Sequence, residues 1–174
     1  MSTTMEPWIR AVEEAEIIRP FGNEMKVMLP AAHTGGSCSV LFAELKPGEG
    51  APPHLHREYD EYFFVVEGTI SLTIDGTESA IVPGKLAFTP RGAIHSFRNI
   101  GQSIARMLEW TVPGGNEPYF RAVSEMGRDI DPKRLAEINR QFATEFIEAP
   151  RSRTEHGGLG ARGDEEPDRP PRIR

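Results

Sequence analysis

Two short constellations restrict what this chain can fold into. The first is Gly48, His54, His56, Glu61 and Gly68, within GEGAPPHLHREYDEYFFVVEG. The second is Gly84, Pro90, Gly92, His95 and Asn99, within GKLAFTPRGAIHSFRN. Three imidazoles and a carboxylate form a ligand set suited to a first-row divalent ion. Side chains on a strand alternate faces, so His54 and His56 share one, with Cα atoms roughly 6.6 Å apart. At that separation both rings can converge on one ion. The polar REYD segment turns the chain, EYFFVV reads as the next strand, and Gly68 ends it. LAFT and HSFRN repeat the logic on either side of a PRG turn. Two hairpins facing each other inside a barrel would gather His54, His56, Glu61 and His95 around one point.

The flanking sequence continues the strand pattern. GNEMKVMLP alternates apolar and polar residues up to Pro30, and CSVLFAEL reads as a buried strand. TISLTID and SAIV flank a DGT turn, and IARMLEWTV is the last strand before PGG. Such a series of short strands, punctuated by Gly and Pro, predicts a sandwich or barrel. EPWIRAVEEAEIIRP fits a short helical turn or an edge strand. Beyond PGG the period becomes helical. Asn116 is placed to cap a helix carrying Tyr119, Phe120, Val123 and Met126, which ends at Gly127. Asp131-Pro132 opens a second, whose apolar stripe is Leu135, Ile138, Phe142 and Phe146. Both helices are expected to pack outside the barrel. Residues 1–150 read as one domain. Residues 151–174, rich in charge and lacking aromatics, read as a disordered tail in which His156 is inert.

The ten positions together resemble the two motifs of the cupin superfamily, G-x5-H-x-H-x4-E-x6-G and G-x5-P-x-G-x2-H-x3-N. The fifteen residues between Gly68 and Gly84 resemble the short spacers of single-domain bacterial cupins. The resemblance covers about residues 40–112. A narrower one, over about 22–150, rests on AAHTGGSCSVLFAELKPGEGAPPHLH and KRLAEINRQFATEFIEAP. These stretches look like bacterial proteins similar to quercetin 2,3-dioxygenase. The resemblance implies an all-β cupin (jelly-roll-like) β-barrel, with two short C-terminal helices added. It also implies that Glu61 acts either as a standing ligand or as a base on a substrate hydroxyl. Dimers are common in the family, so a homodimer is expected by resemblance.

Composition narrows the function classes. A formal charge of -6 argues against nonspecific nucleic-acid binding, which rests on a basic footprint. A single cysteine, Cys38, excludes an internal disulfide framework and fits a reducing cytosol. Acidic residues stand where a signal peptide would carry an apolar run, and no stretch approaches the ~20 apolar residues of a membrane span. A cytoplasmic protein that does not engage a membrane is expected.

Individual residues have simpler readings beside the functional ones. His33 reads as a surface histidine and Cys38 as a small buried strand residue. Strand parity puts Asp60 on the face opposite Glu61, and Glu58 in the turn. Asn99 reads as structural, tying a neighbouring backbone group. Gly48, Gly68, Gly84 and Gly92 read as turn residues that aim the ligands. Phe63, Phe97 and Met107 are candidates to line a substrate pocket, with barrel core as the plainer reading.

The expected cofactor is one divalent transition metal ion (Fe, Mn, Ni, Co, Cu or Zn) held by His54, His56, Glu61 and His95. The expected partner is a small-molecule substrate, enolic or phenolic, and the expected activity is a dioxygenase. A metal-dependent isomerase, hydrolase or decarboxylase is the alternative, as is a non-catalytic small-molecule-binding cupin, because fold does not decide chemistry.

Overall fold

A computed structural model describes residues 7–127 and 129–147. Eleven strands build two facing antiparallel sheets. They are β1 (Glu16–Ile18), β2 (Met25–Leu29), β3 (Ser39–Leu45), β4 (Gly50–His56), β5 (Asp60–Glu67), β6 (Ile70–Ile74), β7 (Thr77–Ile81), β8 (Leu86–Thr89), β9 (His95–Asn99), β10 (Ala105–Val112) and β11 (Thr144–Phe146). Helices α1 (Asn116–Ser124) and α2 (Pro132–Gln141) lie between the last two. One sheet has the order β1-β2-β3-β10-β5-β8 and the other β11-β4-β9-β6-β7. The architecture is the all-β barrel expected from the sequence.

Alternation drives the packing. Phe63 and Val65 on β5, Met107 on β10, Leu41 on β3 and Ile70 and Leu72 on β6 meet in one core cluster. Each such side chain contributes roughly 1.5–3 kcal/mol when buried. The outer faces of the two sheets differ in character. On the five-stranded sheet they carry Ser71, Thr73, Glu78, Ser96 and Arg98, paired across β7, β6 and β9. On the six-stranded sheet two apolar rows cross the strands. Leu86, Phe64, Leu108 and Phe42 form one, and Phe88, Tyr62, Trp110 and Val40 the other.

Several expectations need correction. Neither motif is a hairpin. β4 and β5 belong to different sheets, as do β8 and β9. Each turn therefore crosses the barrel. His54 pairs with His95 across β4–β9, while Glu61 pairs with Thr89 across β5–β8. Asn116 does not cap α1. Gly115 holds the N-cap position, and Asn116 turns inward, fully buried. Asp131 does cap α2, accepting from the Lys133 N–H at 3.0 Å.

Phe142, the C-cap of α2, packs with Leu135 and Ile138 as the stripe predicts, whereas Phe146 lies on β11, because Ala143 (φ 49°) redirects the chain into the sheet. The helices do not simply coat the exterior, since Phe120 packs against the barrel core. Cys38 is half-buried and precedes β3. The N-terminal ambiguity resolves as a 3-10 turn at Val12–Glu14 followed by β1. The tail from 148 onward, His156 included, lies outside the described residues.

Gly50 marks the tightest approach between β4 and β9. A Cβ there would sit 1.9 Å from the Phe97 carbonyl oxygen and 2.7 Å from the Arg98 Cα. Backbone cannot give way as a flexible side chain does. Gly50→Ala is therefore expected to destabilise the fold by about 2–4 kcal/mol, read from urea unfolding. An unchanged midpoint would show that the two strands are not packed this closely.

Candidate metal centre

The four expected ligands meet. His54 and His56 project from β4, Glu61 from β5 and His95 from β9, and all are buried. One donor atom from each lies within 4.8 Å of the others. Two ligands placed ~2.0–2.2 Å from a common ion lie at most about 4.4 Å apart, so only a small contraction is needed.

The turn glycines Gly68 and Gly92 have φ of +81° and +85°, which a residue with a Cβ adopts only with strain. Asn99 donates to the Leu45 and Ser103 carbonyls, both at 2.8 Å, pinning the end of β9.

Each imidazole is oriented from behind. His54 Nδ1 lies 2.7 Å from the Pro52 carbonyl, and His95 Nδ1 lies 3.2 Å from that of Ala93. A carbonyl only accepts, so Nδ1 carries the proton in both rings. The neutral forms then direct an Nε2 lone pair inward. His56 Nδ1 meets two hydroxyls, Tyr59 at 2.8 Å and Thr144 at 3.2 Å. Such outward bonds are what hold metal-binding histidines in register.

Electrostatics separate the three rings. Burial, then the neighbouring His95, holds His54 down to about 3. Burial holds His56 down to about 4, against the opposing pull of Glu61. Both are neutral at ordinary pH. Burial also disfavours charge on His95, but its Nε2 sits 2.8 Å from Glu61 Oε2, and that contact raises its pKa overall. Burial would raise the Glu61 pKa, yet the surrounding imidazoles lower it. Glu61 and His95 thus form an ion pair whose shared proton a cation would displace. Buried lone pairs, a carboxylate and fixed tautomers are the donor chemistry a divalent ion fits, and His54, His56, Glu61 and His95 would hold it.

A cavity of ≈ 230 Å³ opens beside the cluster. Phe97 lines it, together with Phe21, Tyr119, Phe120 and Phe146. Phe63 and Met107 do not. They lie in the core cluster, Phe63 behind Phe97 at 5.4 Å between ring centroids. Phe21 is 42% exposed, adopts a left-handed conformation (φ 55°) and meets Phe146 edge to face. These two rings mark the mouth.

Sequence reasoning missed Glu109. It is 1% exposed, lines the cavity and accepts from Asn116 Nδ2 at 3.0 Å. Asn116 Oδ1 in turn accepts from Ser39 Oγ at 2.7 Å. Burial, then the Glu61 charge, pushes the Glu109 carboxyl well above its usual range and so favours its protonated form. Parity on β10 carried the signal, because Glu109 shares a face with Ala105 and Met107. Thr144 and Tyr59, which back His56, were also missed.

Other residues fall outside the site. Asp60 pairs with Arg91 at 3.0 Å, Glu58 is exposed in the turn, and His33 is exposed against Trp8. Among the described residues no helix is long and apolar enough to cross a membrane.

Comparison with known proteins agrees with this architecture. Residues 41–111 match the cupin domain family, and the all-β barrel is consistent with a cupin fold. It is 28% identical over 100 residues to quercetin 2,3-dioxygenase of Bacillus subtilis, covering 58% of this chain but only 29% of that enzyme's length. It is 29% identical over 115 residues to the polyketide synthase protein CurC of Streptomyces cyaneus, covering 66% of this chain and 75% of that one. Among solved structures, KdgF from Halomonas sp. superposes with a TM-score of 0.58 at 15% identity, over 65% of this chain and 99% of that one, a likeness of fold alone.

The proton balance is open to measurement. Coordination needs His95 neutral, whereas its raised pKa keeps it protonated to higher pH than an ordinary histidine. Apparent affinity for Co²⁺ or Zn²⁺ is expected to fall as pH drops from ~8 to ~5, with about one proton released per ion bound. A flat profile would remove His95 from the ligand set. Elemental analysis of the untagged protein is expected to find about one equivalent of transition metal, lost in His54→Ala/His56→Ala.

Proposed function

We propose that this cupin is a metal-dependent enzyme whose reaction is the dioxygenation of a small enol or phenol. The supporting observation is the placement of an ionised, buried carboxylate, Glu61, between inward-facing imidazoles and an apolar, aromatic-lined cavity. A divalent ion, when bound, supplies Lewis acidity that lowers the pKa of a nearby hydroxyl, and a redox-active one adds chemistry with dioxygen.

The chain's own residues supply the rest. Glu61 accepts the hydroxyl proton of the substrate at a carboxylate oxygen. Glu109 lines the same cavity as Glu61, and the Glu61 charge favours its protonated form. Phe97, Phe120 and Phe146 exclude water and offer flat faces to a planar ligand. An apolar cavity of about 150 Å³ can take up benzene, so the larger space here suits a molecule of one or two fused rings. The match to a quercetin 2,3-dioxygenase supports the choice of reaction.

A second reading is favoured by the greater coverage of CurC. In it the substrate is a polyketide, and the same proton transfer to Glu61 drives an isomerisation without oxygen.

Oxygen consumption separates the two. With a flavonol or simpler enol as probe, oxygen uptake is expected to match substrate loss mole for mole, and turnover to stop under strict anaerobiosis. Persistent anaerobic turnover would sink the dioxygenase reading and favour the second. Glu61→Gln is expected to lower kcat by about 10²–10⁴-fold while leaving substrate binding measurable. Full activity in that variant would take Glu61 out of the proton transfer.

A further inference from the structure

Four polar side chains stand in register across the inner face of the six-stranded sheet. Ser39 on β3 pairs with Thr111 on β10, Thr111 with Glu61 on β5, and Glu61 with Thr89 on β8. None is more than 3% exposed. Two residues along each strand, the matching row is Leu41, Glu109, Phe63 and Ala87, so polar character is concentrated in the first.

A polar row inside a barrel is tolerated where each member finds a partner. Three of the four do. Ser39 Oγ lies 3.0 Å from Thr111 Oγ1 and donates to Asn116 Oδ1 at 2.7 Å. Glu61 Oε2 accepts from His95 Nε2 at 2.8 Å. The Thr89 hydroxyl is the exception: among the described residues it has neither donor nor acceptor. It has given up its bonds to water and gained none in return. Valine has the same shape, suits a strand as well and would avoid that loss.

The Glu61–His95 bond points to a use for this hydroxyl. His95 Nε2 cannot both ligate an ion and donate to Glu61, so Glu61 loses that donor once the site is filled. Ligating carboxylates are ordinarily hydrogen-bonded in their turn. On one flank of Glu61, Thr111 is already engaged with Ser39 and Asn116. On the other flank the Thr89 hydroxyl is free. Side chains directly opposite on antiparallel strands have Cβ atoms about 4.5–5.5 Å apart, a gap that a glutamate side chain closes to hydrogen-bond distance.

We propose that Thr89 is a positioning residue for Glu61: its hydroxyl donates to the Glu61 carboxylate when the centre holds an ion, and keeps that carboxylate in its ligating orientation. This role rests on the metal centre inferred from the four donors. Thr89 does not line the cavity, so it acts through Glu61 and not on a substrate.

Thr89→Val separates this role from packing, because the two predict different signs. With chelator present, removing an unpaired hydroxyl at constant shape is expected to leave the urea midpoint unchanged or raise it. The affinity for Co²⁺ or Zn²⁺, measured by competition with a chromogenic chelator, is expected to fall about 10–100-fold. Thr89→Ser, which keeps the hydroxyl, is expected to bind as the wild type does. Added to Glu61→Ala, the Thr89→Val change is expected to cost no further affinity, since its route is already removed.

Equal affinity in the wild type and Thr89→Val would overturn the proposal. So would a lowered midpoint without ion, which would give the hydroxyl a partner in the metal-free fold. A full further loss in the Glu61→Ala background would overturn it as well, by making Thr89 act through another group. A wild-type chain that takes up no ion would overturn the metal centre itself, and this role with it.

Discussion

The structure depends on holding three imidazoles and a carboxylate together in an apolar interior. Such groups strongly prefer water, and their burial is tolerated only when each finds a partner. The partners are arranged in two shells. The Pro52 and Ala93 carbonyls hold their rings from two residues earlier in the chain, so those orientations are set locally. His56 is different. Its partners, Tyr59 and Thr144, come from the β4–β5 turn and from β11, 88 positions later in the chain. The His56 ring thus takes one of its two hydrogen-bond partners from the final strand.

The crossing of the barrel by both motif turns has a mechanical consequence. His54, His56 and His95 stand on the five-stranded sheet, and Glu61 stands on the other. The Glu61–His95 contact is thus a polar bridge between the two sheets, set within the apolar packing that joins them. Had the motifs been hairpins, each ligand pair would have moved as one rigid unit. Because they span the sheets, the separation of the donors depends on the core between them, on residues such as Phe63 and Leu72. Core packing and ligand geometry are one constraint.

The parts legible in sequence were those governed by local chemistry. Period-two alternation gave the strands, and the ligand set followed from spacing, because His54 and His56 share a face whatever their strand pairs with. Sheet membership could not be read this way. A turn such as REYD fits a hairpin or a corner equally well, and only the closing of the whole barrel decides. Asn116 shows a second limit. Its cap-like position was correct to one residue, but the buried Glu109 carboxyl offered it a stronger partner than the helix terminus. Phe63 and Met107 show a third. Parity tells inside from outside, and both are inside, but it does not tell cavity wall from solid core.

The cavity draws its walls from two parts of the chain, with different consequences. The acid–base and ligating groups, together with Phe97, lie within residues 41–111, the stretch that matches the cupin family. The mouth and much of the apolar wall do not. Phe21 comes from the loop before β2, Tyr119 and Phe120 from α1, and Thr144 and Phe146 from β11. On the proposed function, the chemistry at Glu61 would belong to the family-matching core, and the added segments would shape access to the cavity. In this chain the added segments are joined to the chemistry at two points. Asn116 at the start of α1 holds Glu109, and Thr144 on β11 backs His56. A ligand that shifts α1 or β11 on entering would thereby shift the groups around Glu61 through these two hydrogen bonds.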